Sequence, residues 1–268
     1  MTPTSRYLEA PFLRRTAVAI ATAASCTAAL ALPQFTLDPV TAALVGTTFI
    51  ADNLIISDFS TVTFGPANTF TDTGFLSVSA AQLGGATFTP TGLNSTYGLY
   101  FAFTGSGTLT AAGNPASAPT FGSFSQLTYK LFGYNGAASF GFAGNTPTET
   151  ASGEVELASG SLMFGTVGTL PAGAGKFTPS ANAQLTFNVA AGKAAFFKSP
   201  NPFYDIALTA FTNTTSQVEA FDGGFRIRQG GGSVNFDMTP AIPEPGTYAL
   251  MLAGLAAVGF VARRRRPV

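Results

Sequence analysis

The sequence predicts an all-β protein: a single antiparallel β-sandwich or jelly-roll-like domain over residues 32–242. Within this range, apolar residues alternate with polar or small ones, as expected of strands that bury one face. Turn-forming clusters of Gly, Pro, Asn, Ser and Thr separate these runs. Composition agrees, because the 268 residues include 30 Gly and 17 Pro, and only 10% are charged. Ordinary globular proteins carry roughly 25% charged residues.

The alternation is clearest in seven runs, at residues 47–57, 60–64, 97–110, 121–134, 184–189, 203–211 and 224–229. Phenylalanine is the main apolar material, with 26 Phe and no Trp. Where Phe residues stand two apart they share a strand face, so most of them are predicted to form the core. Five tyrosines remain open as residues that stack on sugars: Tyr97, Tyr100, Tyr129, Tyr134 and Tyr204.

Charge and residue usage restrict the functions open to the chain. Residues 32–242 hold eleven carboxylates against six Lys and Arg, a balance of −5, which disfavours nucleic acid as a partner. The chain has no His, and its one Cys is Cys26, so the usual ligands of zinc and transition metals are lacking. We therefore expect no enzymatic activity, no catalytic residues, no metal and no cofactor.

The N-terminus has the organisation of a signal peptide over residues 1–31. Arg14 and Arg15 precede an apolar stretch at 16–28, and Ala29 and Ala31 supply the small residues that signal peptidase reads. This order predicts a signal helix that is cleaved after Ala31. Cleavage there would also remove Cys26, which leaves no disulfide in the mature chain.

The C-terminus has the pattern of a membrane anchor. Residues 246–262 carry no charge and span about 25 Å as a helix, slightly less than a ~30 Å hydrocarbon core. The positive-inside rule predicts that the cluster Arg263, Arg264, Arg265 and Arg266 stays in the cytoplasm. Together with the basic N-terminus, this anchor predicts that the β domain is exported across the inner membrane.

Immediately before the apolar stretch stand Pro243, Glu244 and Pro245. This tripeptide, the apolar segment and the arginine cluster together resemble the PEP-CTERM sorting signal of Gram-negative bacteria, here over residues 243–268. The resemblance implies a transient inner-membrane anchor and processing by an exosortase near Pro243–Pro245. The chain would then reach the cell surface or extracellular matrix of a bacterium that makes exopolysaccharide.

Three internal segments, at residues 92–108, 196–219 and 224–236, are similar to flocculation-associated PEP-CTERM proteins. That resemblance implies a non-enzymatic surface or matrix protein that promotes cell aggregation in flocs or biofilm. Its partners would be exopolysaccharide or other matrix components, after exosortase and signal peptidase during export. The family supplies no catalytic residue to carry over.

Two other function classes stay open. Glu154 and Glu156 would share a strand face, and paired carboxylates are the chemistry of a glycan-active enzyme. Asp52, Asn53 and Asp58 offer oxygen ligands that calcium prefers in a lectin-like module. The alternative hypothesis is therefore a secreted carbohydrate-binding or carboxylate-based glycan-active protein.

Overall fold

The computed structural model describes residues 32–110 and 115–238. These residues confirm the all-β antiparallel class, and the helical structure among them is limited to two 3-10 turns, at Pro39–Ala42 and Pro66–Asn68. The strands, in chain order, are β1 Phe35–Leu37, β2 Phe49–Ala51, β3 Asn53–Phe64, β4 Thr69–Leu83, β5 Ala86–Phe88, β6 Tyr97–Leu109, β7 Thr120–Asn135, β8 Phe140–Ala143, β9 Thr146–Glu149, β10 Val155–Gly173, β11 Lys176–Thr186, β12 Asn188–Val189, β13 Phe197–Ser199, β14 Ile206–Thr212, β15 Val218–Phe221 and β16 Gly224–Asp237.

Eight long strands form one sheet that closes on itself. Their order follows the chain, β3-β4-β6-β7-β10-β11-β14-β16, and β16 pairs with β3 to complete the ring. The sequence predicts two packed sheets, whereas these strands belong to one. Alternation cannot distinguish the two arrangements, because each buries one face of every strand. Because the sheet is closed, each of the eight strands pairs with a neighbouring strand on both sides, and none is an edge strand.

The alternation of β3 shows how the interior is filled. Leu54, Ile56 and Val62 are buried, whereas Ser57 and Phe59, on the other face, are partly exposed. Phenylalanine supplies much of the core, as predicted: Phe35, Phe101, Phe196 and Phe236 are almost completely buried. Burying such side chains contributes roughly 1.5–3 kcal/mol each.

One end of the interior is closed by packed aromatic rings. We call Phe35, Phe187, Phe197, Phe203 and Phe236 the end cluster. The Phe236 ring centroid lies 5.0 Å from that of Phe35, 4.9 Å from Phe187 and 5.3 Å from Phe203, mostly edge to face. Two of these rings come from the small sheet β13-β1-β2, which pairs outside the ring of eight strands.

A hairpin, β8–β9, covers part of the outer face. Phe140 on β8 lies 5.9 Å from Phe59 and 5.4 Å from Tyr100 between ring centroids. Backbone oxygens of the β8–β9 turn accept hydrogen bonds from the sheet: Thr61 Oγ1 donates to Asn145 O at 2.5 Å, and Arg226 Nη1 donates to Gly144 O at 2.5 Å.

Within the described ranges no helix has the length and apolar character that a membrane crossing requires. The predicted signal helix at 1–31 and the predicted membrane helix at 246–262 both lie outside those ranges.

Candidate functional site

The residues predicted to direct export and sorting lie outside the described residues. They are Ala29 and Ala31 at the signal-peptide cleavage site, Pro243, Glu244 and Pro245 of the tripeptide, and Arg263, Arg264, Arg265 and Arg266. Their assignment therefore remains a prediction from sequence. The described domain offers two further places where chemistry is concentrated, one inside the closed sheet and one on its outer face.

The glutamates considered for glycan chemistry have separate partners. Glu154 Oε1 accepts a hydrogen bond of 3.0 Å from Tyr100 Oη, and Glu156 Oε2 forms a 2.8 Å ion pair with Lys130. Each carboxylate is thus engaged by a side chain of the neighbouring part of the sheet.

The residues considered for calcium are also separated by their contacts. Asp52 Oδ2 accepts a 2.6 Å hydrogen bond from the Gly84 backbone N–H, and Asn53 Nδ2 donates to Gln82 Oε1 at 2.9 Å. Asp58 instead faces the interior of the closed sheet. In residues 32–110 and 115–238, no group of three or more acidic or other metal-ligating side chains is arranged to hold an ion.

Most of the tyrosines left open for sugar stacking are in the core. Tyr97, Tyr100, Tyr129 and Tyr134 are buried, and Tyr129 Oη donates a hydrogen bond of 2.9 Å to Thr186 O. Tyr204 packs against Phe203. Stacking on a polysaccharide requires an accessible ring face, so the four buried tyrosines cannot serve that purpose.

Inside the closed sheet, polar side chains gather between apolar ones. Asp58 and Ser60 lie on β3, and Asp72 lies on the neighbouring strand β4, whose Gly74 is the partner of Ser60. Asn213 follows β14 and is 2% exposed. We call Asp58, Ser60, Asp72 and Asn213 the interior polar cluster.

Burial dominates the electrostatics of this cluster. It raises the pKa of Asp58 from 3.8 to about 7 and raises the pKa of Asp72 well above 3.8, where the Asp58 charge adds to the effect. The Ser60 hydroxyl lies close enough to both carboxyls to oppose these increases. Even so, Ser60 Oγ forms no hydrogen bond with either carboxyl group. Asp58 Oδ1, Asp72 Oδ1 and Asn213 Oδ1 also have no hydrogen-bond partner.

Asn213 is placed beside Asp58 by a glycine. Gly230 on β16 pairs with Asp58 across the ladder, and a Cβ built on Gly230 would lie 2.1 Å from Asn213 Oδ1. Only a residue without a side chain leaves room there for the amide. A cavity of about 100 Å³ adjoins Asp58, Asp72 and Asn213, and its walls are mostly aliphatic and aromatic.

A second feature is a shallow groove of about 640 Å³ on the outer face. We call it the outer groove. The cross-strand pair Thr104 and Thr128 is exposed at its floor, and Phe75 contributes an aromatic ring. Lys130 and Asn188 add polar groups at its sides. The groove therefore combines hydroxyl, amide and ammonium groups with the aromatic side chains of Phe75, Phe103 and Tyr129.

Sequence reasoning missed the interior polar cluster, although one signal was present. Asp58 and Ser60 have the same parity as Leu54, Ile56 and Val62, so the alternation that predicts a buried apolar face also places them on it. The same holds for Asp72, which lies in phase with Phe70 and Leu76. Asn213 could not be found this way, because it reaches the cluster through strand pairing.

Comparison with known proteins identifies the C-terminus. Residues 241–266 match the family model of the PEP-CTERM protein-sorting motif. No curated protein and no solved structure matches the chain. The match confirms the sorting signal predicted from Pro243–Pro245 and the segments after it. The motif marks the protein for export and for exosortase-dependent sorting to the cell surface.

Proposed function

We propose that the protein is a non-enzymatic component of the cell surface or extracellular matrix that promotes cell aggregation together with exopolysaccharide. The observation that carries this proposal is the sorting motif at residues 241–266. A chain delivered to the surface by that route acts where cells and matrix polymers meet. In this scheme the apolar tail anchors the chain to the inner membrane only until an exosortase processes it.

The exterior of the closed sheet supports a role in the matrix. Strand pairing around the ring favours a stable scaffold, and many outward-facing positions carry small hydroxyl side chains. Thr104, Thr128 and Thr166 are exposed members of this set. Hydroxyl groups exchange hydrogen bonds with water or with sugar hydroxyls at similar cost, which suits weak, repeated contacts with a polymer.

Sorting is tested by replacing Pro243, Glu244 and Pro245 together with alanine in the producing bacterium. We expect the protein to remain in the inner-membrane fraction with its apolar tail, because the exosortase no longer recognises it. Mass spectrometry of the C-terminus in the extracellular and membrane fractions reads this directly. Cleaved extracellular protein in the variant would show that the tripeptide does not direct processing.

Aggregation is tested by deleting the gene and measuring floc size and settling. We expect cells that still release polysaccharide but stay dispersed, and that regain flocs when the unaltered gene is returned. A deletion strain that flocculates normally contradicts the aggregation role while leaving the sorting result intact.

The outer groove favours carbohydrate binding as the way in which the protein would hold polysaccharide. Its volume of about 640 Å³ lies within the range of roughly 300–1,000 Å³ typical of ligand sites. Replacing Thr104 and Thr128 with alanine removes the two hydroxyls at its floor. The matched control replaces Ser123 and Thr166, another exposed cross-strand pair outside the groove.

We expect the groove variant to sediment less purified matrix polysaccharide than the unaltered protein, and the control to sediment as much. Both variants change exposed side chains, so their thermal unfolding should match that of the unaltered chain. Equal sedimentation by all three proteins would remove the groove as the contact site.

A further inference from the structure

We propose that the interior of the closed sheet binds a small organic ammonium ion, with its charged head between Asp58 and Asp72 and its apolar part along the cavity wall. This inference does not depend on the proposed role in aggregation. It follows from the polar atoms that the fold buries without partners and from the shape of the space beside them.

The first observation is that the unpartnered atoms are all able to accept hydrogen bonds. Asp58 Oδ1, Asp72 Oδ1 and Asn213 Oδ1 are buried and have no hydrogen-bond partner. Leaving such atoms without partners destabilises the folded state, and more so where the group is charged. An ammonium group carries three donors on one compact head, which matches three acceptors.

The second observation is that no described side chain supplies a cation to the interior carboxyls. The ion pairs among the described residues are Lys130–Glu156, Lys198–Asp38, Arg226–Glu219 and Arg228–Glu219, and none includes Asp58 or Asp72. A buried charge is normally paired or neutralised. Here a bound cation would supply the pairing that no described side chain provides.

Asn213 is the independent marker of a site. Its side chain is almost fully buried, its Oδ1 has no partner, and it lines the cavity. The space for that oxygen exists because residue 230 is glycine. The position of Asn213 Oδ1, the third acceptor, therefore depends on the glycine backbone of β16.

The rest of the cavity suits an apolar group. Leu76, Phe101 and Val234 are among the buried residues that line it. Calcium takes 6–8 oxygen ligands, so walls of this kind favour an amphipathic cation over a metal ion. The volume of about 100 Å³ is smaller than the roughly 150 Å³ that holds benzene, which limits the ligand to a few carbon atoms.

Entry to the cavity would lie at the end of the sheet opposite the end cluster, where the lining side chains of Phe64, Leu109 and Val167 are only partly buried. The end cluster seals the other end with packed rings. A small molecule would enter beside these three residues and meet the carboxyls further inside.

The test uses the full chain, purified in detergent micelles, and ethylammonium chloride as the probe in calorimetric titrations at pH 8. We expect saturable binding of one equivalent, and no comparable binding of ethanol, which has the same carbon chain without the charge. Asp58→Asn and Asp72→Asn should each weaken binding by about tenfold or more, since each removes one charge paired with the ammonium.

The matched control is Asp237→Asn, which neutralises an exposed carboxyl at the end of β16 and should leave binding unchanged. Asparagine preserves side-chain volume, and far-UV circular dichroism verifies that each variant is folded. The proposal is overturned if ethylammonium gives no binding, if ethanol binds equally well, or if both interior variants bind like the unaltered chain. Calcium chloride binding that requires Asp58 and Asp72, without ammonium binding, would also overturn it in favour of a metal site.

Discussion

The two ends of the closed sheet's interior are filled in different ways. At one end, Phe236 contacts Phe35, Phe187 and Phe203 with ring centroids 4.9–5.3 Å apart. Toward the other end, β16 has Gly230 opposite Asp58 of β3, and a cavity remains beside Asp58. The comparison indicates that packing in the end cluster stabilises the folded state, whereas the unpaired groups of the interior polar cluster destabilise it.

The largest expected effect tests the end cluster. Phe236→Ala removes a fully buried ring that three others contact, and we expect a loss of about 3–5 kcal/mol in the free energy of unfolding. Urea unfolding followed by far-UV circular dichroism measures it. Phe121→Ala, at a ring that is 54% exposed, is the control and should change stability by no more than about 0.5 kcal/mol.

The second prediction concerns the pH dependence of the polar cluster. Burial raises the pKa of Asp58 to about 7, while the unfolded chain titrates near 3.8. Between these values the folded state holds a proton that the unfolded state has lost, so stability falls as pH rises from about 4 to about 7. Because one pKa unit is worth about 1.4 kcal/mol, the loss in the free energy of unfolding is on the order of 4 kcal/mol.

The titratable side chains that line the cavity with Asp58 are Asp72 on β4 and Tyr129 on β7, and Asp72 shifts stability in the same direction. Urea unfolding from pH 4.5 to 8.5 tests this. Asp58→Asn should flatten the curve and raise stability at pH 8, whereas Asp237→Asn should keep its shape. A steep fall that persists in Asp58→Asn would mean that Asp58 is not its source.

The third prediction tests how Asn213 is positioned. Gly230→Ala places a methyl group against Asn213 Oδ1, so we expect a loss of about 1–3 kcal/mol in stability. In the double variant Gly230→Ala with Asn213→Ala, the clash with the amide is relieved and only that with Ile227 Cγ2 at 2.5 Å remains, so the combined loss should be smaller than the sum of the two single losses. Strict additivity in thermal unfolding would show that the two residues do not meet.

The smallest effect belongs to the outer surface. Glu156→Gln breaks the 2.8 Å ion pair with Lys130, whose side chain is 57% exposed, and should cost about 0.2–1 kcal/mol. The loss should shrink in 1 M salt, because exposed charges are screened. A larger loss in the free energy of unfolding that is unchanged in 1 M salt would show that this ion pair is less accessible to water than its exposed surface indicates.

Some strands were harder to predict than others, for a local reason. The seven predicted runs include the core of β3, β6 and β7, where apolar residues alternate cleanly with polar ones. They omit β4 and β10, although β10 is 19 residues long. Small residues such as Gly160, Gly165 and Gly168 occur on β10, so hydrophobicity alone does not reveal a strand there.

The antiparallel β class, the inward-facing phase of Leu54 and Ile56, and the sorting motif could all be read from the sequence. Each of these depends on residues that are close along the chain. Closure of the sheet could not be read from it, because closure requires Val62 on β3 to pair with Phe225 on β16. Closure also brings Asn213 close to Asp58. Local alternation shows which residues face inward, but hydrogen bonding between distant strands determines which of these residues are neighbours.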